Sequence, residues 1–146
     1  MEKTPRQSIR LNSGEIQMSE KNKAILEEAN AHVARGDYEG FLAFCDDDTE
    51  WTFVGDRTLK GKEAVSQYMA ATYTEPPKFT VENLIAEGDF LTVLGEITIK
   101  EAGGKATHYS YCDVWRFHGG KIVELKAFVI KIEIEDEATS VEQAIG

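Results

Sequence analysis

The stretch His108-Tyr109-Ser110-Tyr111-Cys112-Asp113-Val114-Trp115-Arg116-Phe117-His118 decides how this chain folds. Aromatic residues crowd it, and aromatics favour strands, in which successive side chains point to opposite faces. Tyr109, Tyr111, Asp113, Trp115 and Phe117 then share one face, four aromatics around a single carboxylate. Ser110, Cys112, Val114, Arg116 and His118 share the other. The aromatic row is the inner one, because the reverse arrangement would expose the aromatics and bury Arg116 and His118. A carboxylate in that row is costly to bury alone. It must be hydrogen-bonded by a tyrosine, kept protonated, or open to a ligand cavity.

Outward from this strand, the β pattern continues over Phe79–Ala86, Phe90–Lys100, Lys105–Phe117 and Lys121–Glu133. Gly88-Asp89, Gly103-Gly104 and Gly119-Gly120 separate the segments, and such pairs mark tight reversals between antiparallel neighbours. On the last segment Leu125, Ala127 and Val129 share a face.

The first half reads differently. Ile25, Ala29 and Val33 recur at helical spacing in a helix expected from Ser19 to Gly36. Asp37 caps a short second helix carrying Tyr38, Phe41, Leu42 and Phe44. Asp46-Asp47-Asp48 reads as a solvated connection, since no further ligands follow at calcium-loop spacing. Thr49–Val54 alternates as a half-buried strand with Trp51 and Phe53 on one face, and Gly55-Asp56 ends it. A third helix after Gly61 carries Ala64, Val65, Tyr68, Met69 and Thr72 on one stripe and stops before Pro76-Pro77.

Helix, helix, strand, helix and four strands is a segregated α+β order. We expect a cone-shaped curved antiparallel sheet enclosing a pocket with three N-terminal helices. The domain is expected over 19–134, after a flexible arm at 1–18 and before an acidic tail at 135–146.

A chain of 146 residues accommodates one core. Its net charge of -10 argues against nucleic-acid binding, which needs clustered Lys and Arg. No stretch reaches membrane-spanning length, residues 1–12 lack a signal-peptide apolar run, and Cys45 and Cys112 form no framework. A cytoplasmic protein is the expectation. His32, His108 and His118 show no metal-ligand spacing, and no phosphate-binding glycine loop or nucleophile elbow occurs, so neither metal nor cofactor is expected.

Asp113-Val114-Trp115-Arg116-Phe117, followed by Gly119-Gly120-Lys121-Ile122-Val123-Glu124, resembles the strand-turn-strand signature of the nuclear transport factor 2-like superfamily, which includes ketosteroid isomerases and SnoaL-like polyketide cyclases. Arg35-Gly36-Asp37-Tyr38-Glu39-Gly40-Phe41, the Trp51 strand and Gly61-Lys62-Glu63-Ala64-Val65 resemble its other landmarks. The likeness spans residues 20 to 133.

In ketosteroid isomerases the Asp of this strand is a protonated donor to a developing enolate, and the resemblance puts Asp113 there. That branch also uses a tyrosine on the first helix and a basic Asp near the end of the first strand. Those positions hold Ala29 and Phe53, so classical isomerase activity is not expected. The Arg that limonene-epoxide-hydrolase relatives place before the strand Asp is Tyr111 here.

A SnoaL-like cyclase needs less: a pocket acid-base group and an apolar cavity. The resemblance therefore implies a small apolar or aromatic ligand, with Asp113 as the catalytic candidate. Tyr111, Trp115, Trp51, Phe53, His32, Tyr68, Met69, Leu125, Ala127 and Val129 are the candidate ligand contacts. Tyr111 or Tyr68 would orient the carboxyl, with His32 or His108 as a second proton carrier. The alternative is a non-catalytic binding or dimerisation module, and the resemblance implies a homodimer through the sheet.

Overall fold

The computed structural model describes residues 13–100 and 103–132. In chain order the elements are α1 (Ser13–Ala34), α2 (Tyr38–Leu42), β1 (Cys45–Phe53), β2 (Arg57–Lys60), α3 (Lys62–Thr72), β3 (Lys78–Glu87), β4 (Phe90–Lys100), β5 (Ala106–His118) and β6 (Lys121–Ile132). This is the expected α+β order with one strand more. The six strands form a single sheet in the order β2-β1-β6-β5-β4-β3. Every neighbouring pair is antiparallel except β1 and β6, which run parallel. Parallel pairing requires a long connection, and here everything from β2 to β5 lies between the two partners.

The β3–β6 meander follows from its turns. Gly119 and Gly120 both have positive φ, 58° and 80°, the conformation a two-residue hairpin needs to match strand twist. The register then pairs Trp115 with Leu125, Asp113 with Ala127 and Tyr111 with Val129. The row read from the sequence therefore shares a face with the Leu125 row.

Two element starts differ from expectation, and one strand is additional. The first helix begins at Ser13, six residues before the expected start, so part of the arm assigned to 1–18 is helical. Its buried stripe includes Ser19 and Asn22 before it reaches Leu26, Ala29 and Val33, and inward-facing polar residues hide a helical period. The remainder of that arm and the tail at 135–146 lie outside the described residues.

Asp46, Asp47 and Asp48 belong to β1 rather than to a connection. Pairing with β6 is irregular between Cys45 and Glu50, where the Asp48 amide donates to Asp46 Oδ2 at 3.0 Å and Asp47 faces Lys62 Nζ at 3.5 Å. The bulge turns these carboxylates outward without ending the strand. The short β2, with one apolar residue in Arg57-Thr58-Leu59-Lys60, exists because β1 offers it a ladder. Four residues carry too little alternation to mark it in advance.

The core joins Leu26, Ala29 and Val33 of α1, Phe41 and Leu42 of α2, and Val65 and Met69 of α3 to the inner rows of β4, β5 and β6. Burying apolar side chains of this size stabilises the fold by ~2 kcal/mol each. Cys45 is buried within this core, and desolvation pushes its thiol up to about 12, which leaves it unreactive. No helix among the described residues is long and apolar enough to cross a membrane.

Candidate functional site

A cavity of about 540 Å³ lies between the inner face of the sheet and the helices, within the range of small-molecule sites. Its floor is built in rows by strand register. Trp51, Leu125, Trp115 and Leu91 lie side by side across β1, β6, β5 and β4. The next row is Phe53, Ala127, Asp113 and Val93, and the one beyond brings Val129, Tyr111 and Gly95 together.

The first row closes one end of the cavity. Trp51 packs edge-on against Trp115 with ring centroids 5.6 Å apart, and Phe41 completes the cluster at 5.7 and 6.1 Å. Asp113 stands one row out, between Ala127 and Val93, whose small side chains leave room around its carboxyl. The roof comes from Asn30 and Val33 of α1, from Tyr68, Met69 and Thr72 of α3, and from Tyr73 and Pro77 beyond it. Val54, Asp56 and Val129 are exposed and form the rim.

Among the described residues nothing hydrogen-bonds the Asp113 carboxyl. Burial raises its pKa from 3.8 to about 7, and burial is the only cause. Of the three resolutions open to this residue, the geometry takes two together: the carboxyl faces a cavity and holds its proton to near neutrality. It is not oriented by Tyr111. That hydroxyl donates to the Thr80 carbonyl on β3 at 2.8 Å, reaching across Gly95 on β4. Tyr68 packs its ring on Phe53 with centroids 4.9 Å apart, and among the described residues its hydroxyl makes no hydrogen bond to Asp113 either.

Asp113, Tyr111, Trp115, Trp51, Phe53, Tyr68, Met69, Leu125, Ala127 and Val129 all line this one cavity. His32 does not. The cavity side of α1 runs through Asn30 and Val33, and His32 lies about 100° round from Val33. It faces the joint between α1 and α2, with Nδ1 2.9 Å from Asp37 Oδ2 and 3.0 Å from Arg35 Nη2. His108 points to the opposite face of the sheet, where its Nδ1 meets Thr98 Oγ1 at 2.7 Å. Neither histidine can relay a proton to Asp113. Ala29 is fully buried and takes no part in the lining.

Tyr73 lines the cavity without being among the contacts expected from the sequence, as do Asn30, Phe79 and Val93. Tyr73 ends α3 and packs its ring on Tyr38 at 5.6 Å and on Tyr68 at 6.4 Å. A signal was present. Val65, Met69 and Tyr73 are spaced by four, so the stripe of α3 extends one residue past the point where it was ended.

Helices over one face of a mostly antiparallel sheet, with a single carboxyl deep in an aromatic cavity, define an α+β pocket protein of the nuclear transport factor 2-like superfamily. The chain belongs to the SnoaL-like domain family, whose model matches residues 26–125, more than half of its length. No curated protein sequence matches it significantly. Among solved structures, an NTF2-like protein of unknown function from Cytophaga hutchinsonii ATCC 33406 is 25% identical, with a TM-score of 0.58 over 77% of this chain and 99% of that one. TerC, co-crystallised with polyporic acid, is 18% identical, with a TM-score of 0.63 over 86% and 99%. SalBIII, an epoxide hydrolase/cyclase-like enzyme with a role in pyran ring formation in the polyether salinomycin, is 20% identical, with a TM-score of 0.70 over 75% and 91%. At these identities the last two likenesses establish the fold.

Proposed function

We propose that this chain binds a small apolar or aromatic molecule in the cavity and that Asp113 is the acid-base group of the site. The observation that carries this reading is a carboxyl without a hydrogen-bond partner among the described residues, facing a cavity walled by aromatic side chains. A carboxyl with a pKa of about 7 can both give and take a proton near neutral pH. The chemistry that fits is a cofactor-independent isomerase, cyclase or lyase step on a ligand held by apolar contact. TerC with polyporic acid and SalBIII with its ring-forming role are same-fold precedents for ligands and reactions of this kind. Steroid isomerisation is not proposed, because Ala29 and Phe53 supply neither hydroxyl nor base.

A thermal-shift screen of aromatic and polycyclic compounds tests the reading. Hits that raise the melting temperature of the wild type should bind Asp113→Asn about tenfold more weakly, the value of one charge-assisted hydrogen bond. If the variant binds every hit as tightly as the wild type, Asp113 is not a site residue.

The opposite face of the sheet favours a second reading beside the first. Ile85, Phe128 and Ile130 are exposed there at 57%, 43% and 69%, with Leu94 and Cys112 between them in the register. We propose that a second copy of the chain covers this face, because an exposed apolar sheet surface of this kind marks an interface. Sedimentation should show a wild-type dimer at micromolar concentration and a monomer for the double variant Phe128→Glu/Ile130→Glu. A monomeric wild type at millimolar concentration would sink this proposal.

A further inference from the structure

α1 and the start of β3 leave an open cleft on the outside of the cavity wall. Asn30, Ala31 and Ala34 form one side of it, and Pro77, Lys78 and Phe79 form the other. Asn30, Pro77 and Phe79 line the cavity as well, so the two spaces share these three side chains.

The gap has a local cause. Just past the end of α1, Gly36 lies against Pro76, and a Cβ there would stand 3.2 Å from Pro76 Cγ. Back along the helix, Ala34 and Ala31 present only methyl groups to the cleft. Pro77 is buried opposite them and fixes the backbone on that side. Asn30 and Phe79 are half-buried at the junction, and the Asn30 amide makes no hydrogen bond among the described residues. A wall sealed for the fold alone would carry an apolar side chain here, because a half-buried amide without a partner costs free energy.

The charge at the two openings differs. Lys78 is the one charged residue lining the cleft, and among the described residues it makes no ion pair. Lys100 on the neighbouring strand β4 is by contrast held by Glu75 at 3.4 Å. At the rim formed by Val54, Asp56 and Val129, the Asp56 carboxylate is paired with Arg57 at 3.4 Å. An anion leaving the cavity meets an uncommitted cation at the cleft and a compensated pair at the rim.

Resting on the reading of the cavity as a ligand site, we infer that the cleft is a second opening of the cavity and a subsite for an anionic group. The ligand is then an amphipathic acid. Its apolar body occupies the cavity, and a chain bearing its carboxylate passes Asn30 and Phe79 to reach Lys78.

Three probes test this by calorimetric titration: 2-ethylnaphthalene, 6-(2-naphthyl)hexan-1-ol and 6-(2-naphthyl)hexanoic acid. The wild type should bind the acid about fivefold more tightly than the alcohol, the upper range for an exposed ion pair, and high salt should erase the difference. Lys78→Glu should reverse the preference while leaving 2-ethylnaphthalene unaffected. Ala34 is exposed, so the fold tolerates Ala34→Trp, which fills the cleft and should remove the advantage of the acid. Lys131→Glu, on the strand that carries the rim residue Val129, should leave that advantage in place. Equal binding of acid and alcohol to the wild type overturns the anion subsite without touching the cavity reading. An advantage that survives Lys78→Glu or Ala34→Trp, or that is lost in Lys131→Glu, puts the carboxylate elsewhere and overturns the second opening. Failure of 2-ethylnaphthalene to bind removes the cavity reading itself, and the second opening with it.

Discussion

Asp113→Asn is expected to be more stable than the wild type above neutral pH and nearly equal to it at pH 4. The sign follows from proton linkage. The Asp113 carboxyl titrates near 3.8 in the unfolded chain and at about 7 in the fold, because burial disfavours its charged form. Between those values the folded state keeps a proton that the unfolded state has lost. Wild-type stability therefore falls as pH rises through this window and levels off above about 7. Asparagine does not titrate, so the difference between the two proteins grows across the same window and then stays constant.

The full shift corresponds to about 4 kcal/mol. The cavity leaves part of the side chain open, and water admitted there relieves some of the strain. We therefore expect a gain on the order of 2–4 kcal/mol at pH 8, or a melting temperature higher by roughly 5–10 °C. Calorimetric melting of both proteins from pH 4 to pH 8 measures it. Parallel pH profiles would mean that Asp113 is ordinary in its ionisation, and the acid-base role would fall with that result. A gain in stability together with a loss of ligand affinity is the signature of a group retained for a site rather than for the fold.

Gly95→Ala should cost about 3 kcal/mol or more, a large loss for a single methyl group. Gly95 lies on β4 between Thr80 of β3 and Tyr111 of β5, and the Tyr111 ring crosses it to reach the Thr80 carbonyl. A Cβ at this position would collide with that backbone carbonyl and stand 2.7 Å from the Tyr111 hydroxyl and 2.9 Å from its Cζ. The carbonyl is part of a strand and cannot swing aside as the end of a flexible side chain would. Either β3 parts from β4 or Tyr111 leaves its place, and both outcomes open the cavity wall. Tyr111→Phe, which removes only the hydrogen bond, should cost about 1 kcal/mol. Chemical denaturation of the three proteins separates the effects. A Gly95→Ala variant as stable as the wild type would show that the crossing is not a constraint.

How much of this was legible in the chain differs from residue to residue. The inner row Tyr109, Tyr111, Asp113 and Trp115 was legible because a strand has a period of two, and an aromatic row with one carboxylate has only one plausible face to bury. The Leu125, Ala127 and Val129 set was placed by resemblance, and the hairpin at Gly119-Gly120 is what locks it beside that row. His32 was misplaced because a helical position is specified only to within its neighbours. A rotation of one residue separates the cavity side at Val33 from the α1–α2 joint, and His32 lies just off the stripe of Ala29 and Val33. Tyr73 keeps the spacing of Val65 and Met69 but stands one residue beyond a stripe read as ending at Thr72, just before Pro76-Pro77.

By itself, then, the sequence determined the α+β order, the hairpin reversals and the common face of Asp113 and its aromatic neighbours. These depend on φ/ψ preferences and on side-chain alternation, which act over a few residues. Tertiary structure alone decided that the space above Asp113 is a cavity and not packed core, that Tyr111 is committed to Thr80, and that Tyr73 lines that cavity. Each of those depends on distances between segments far apart in the chain. Thr80 and Tyr111 are separated by 31 positions, and the crossing over Gly95 that joins them exists only once three strands have paired.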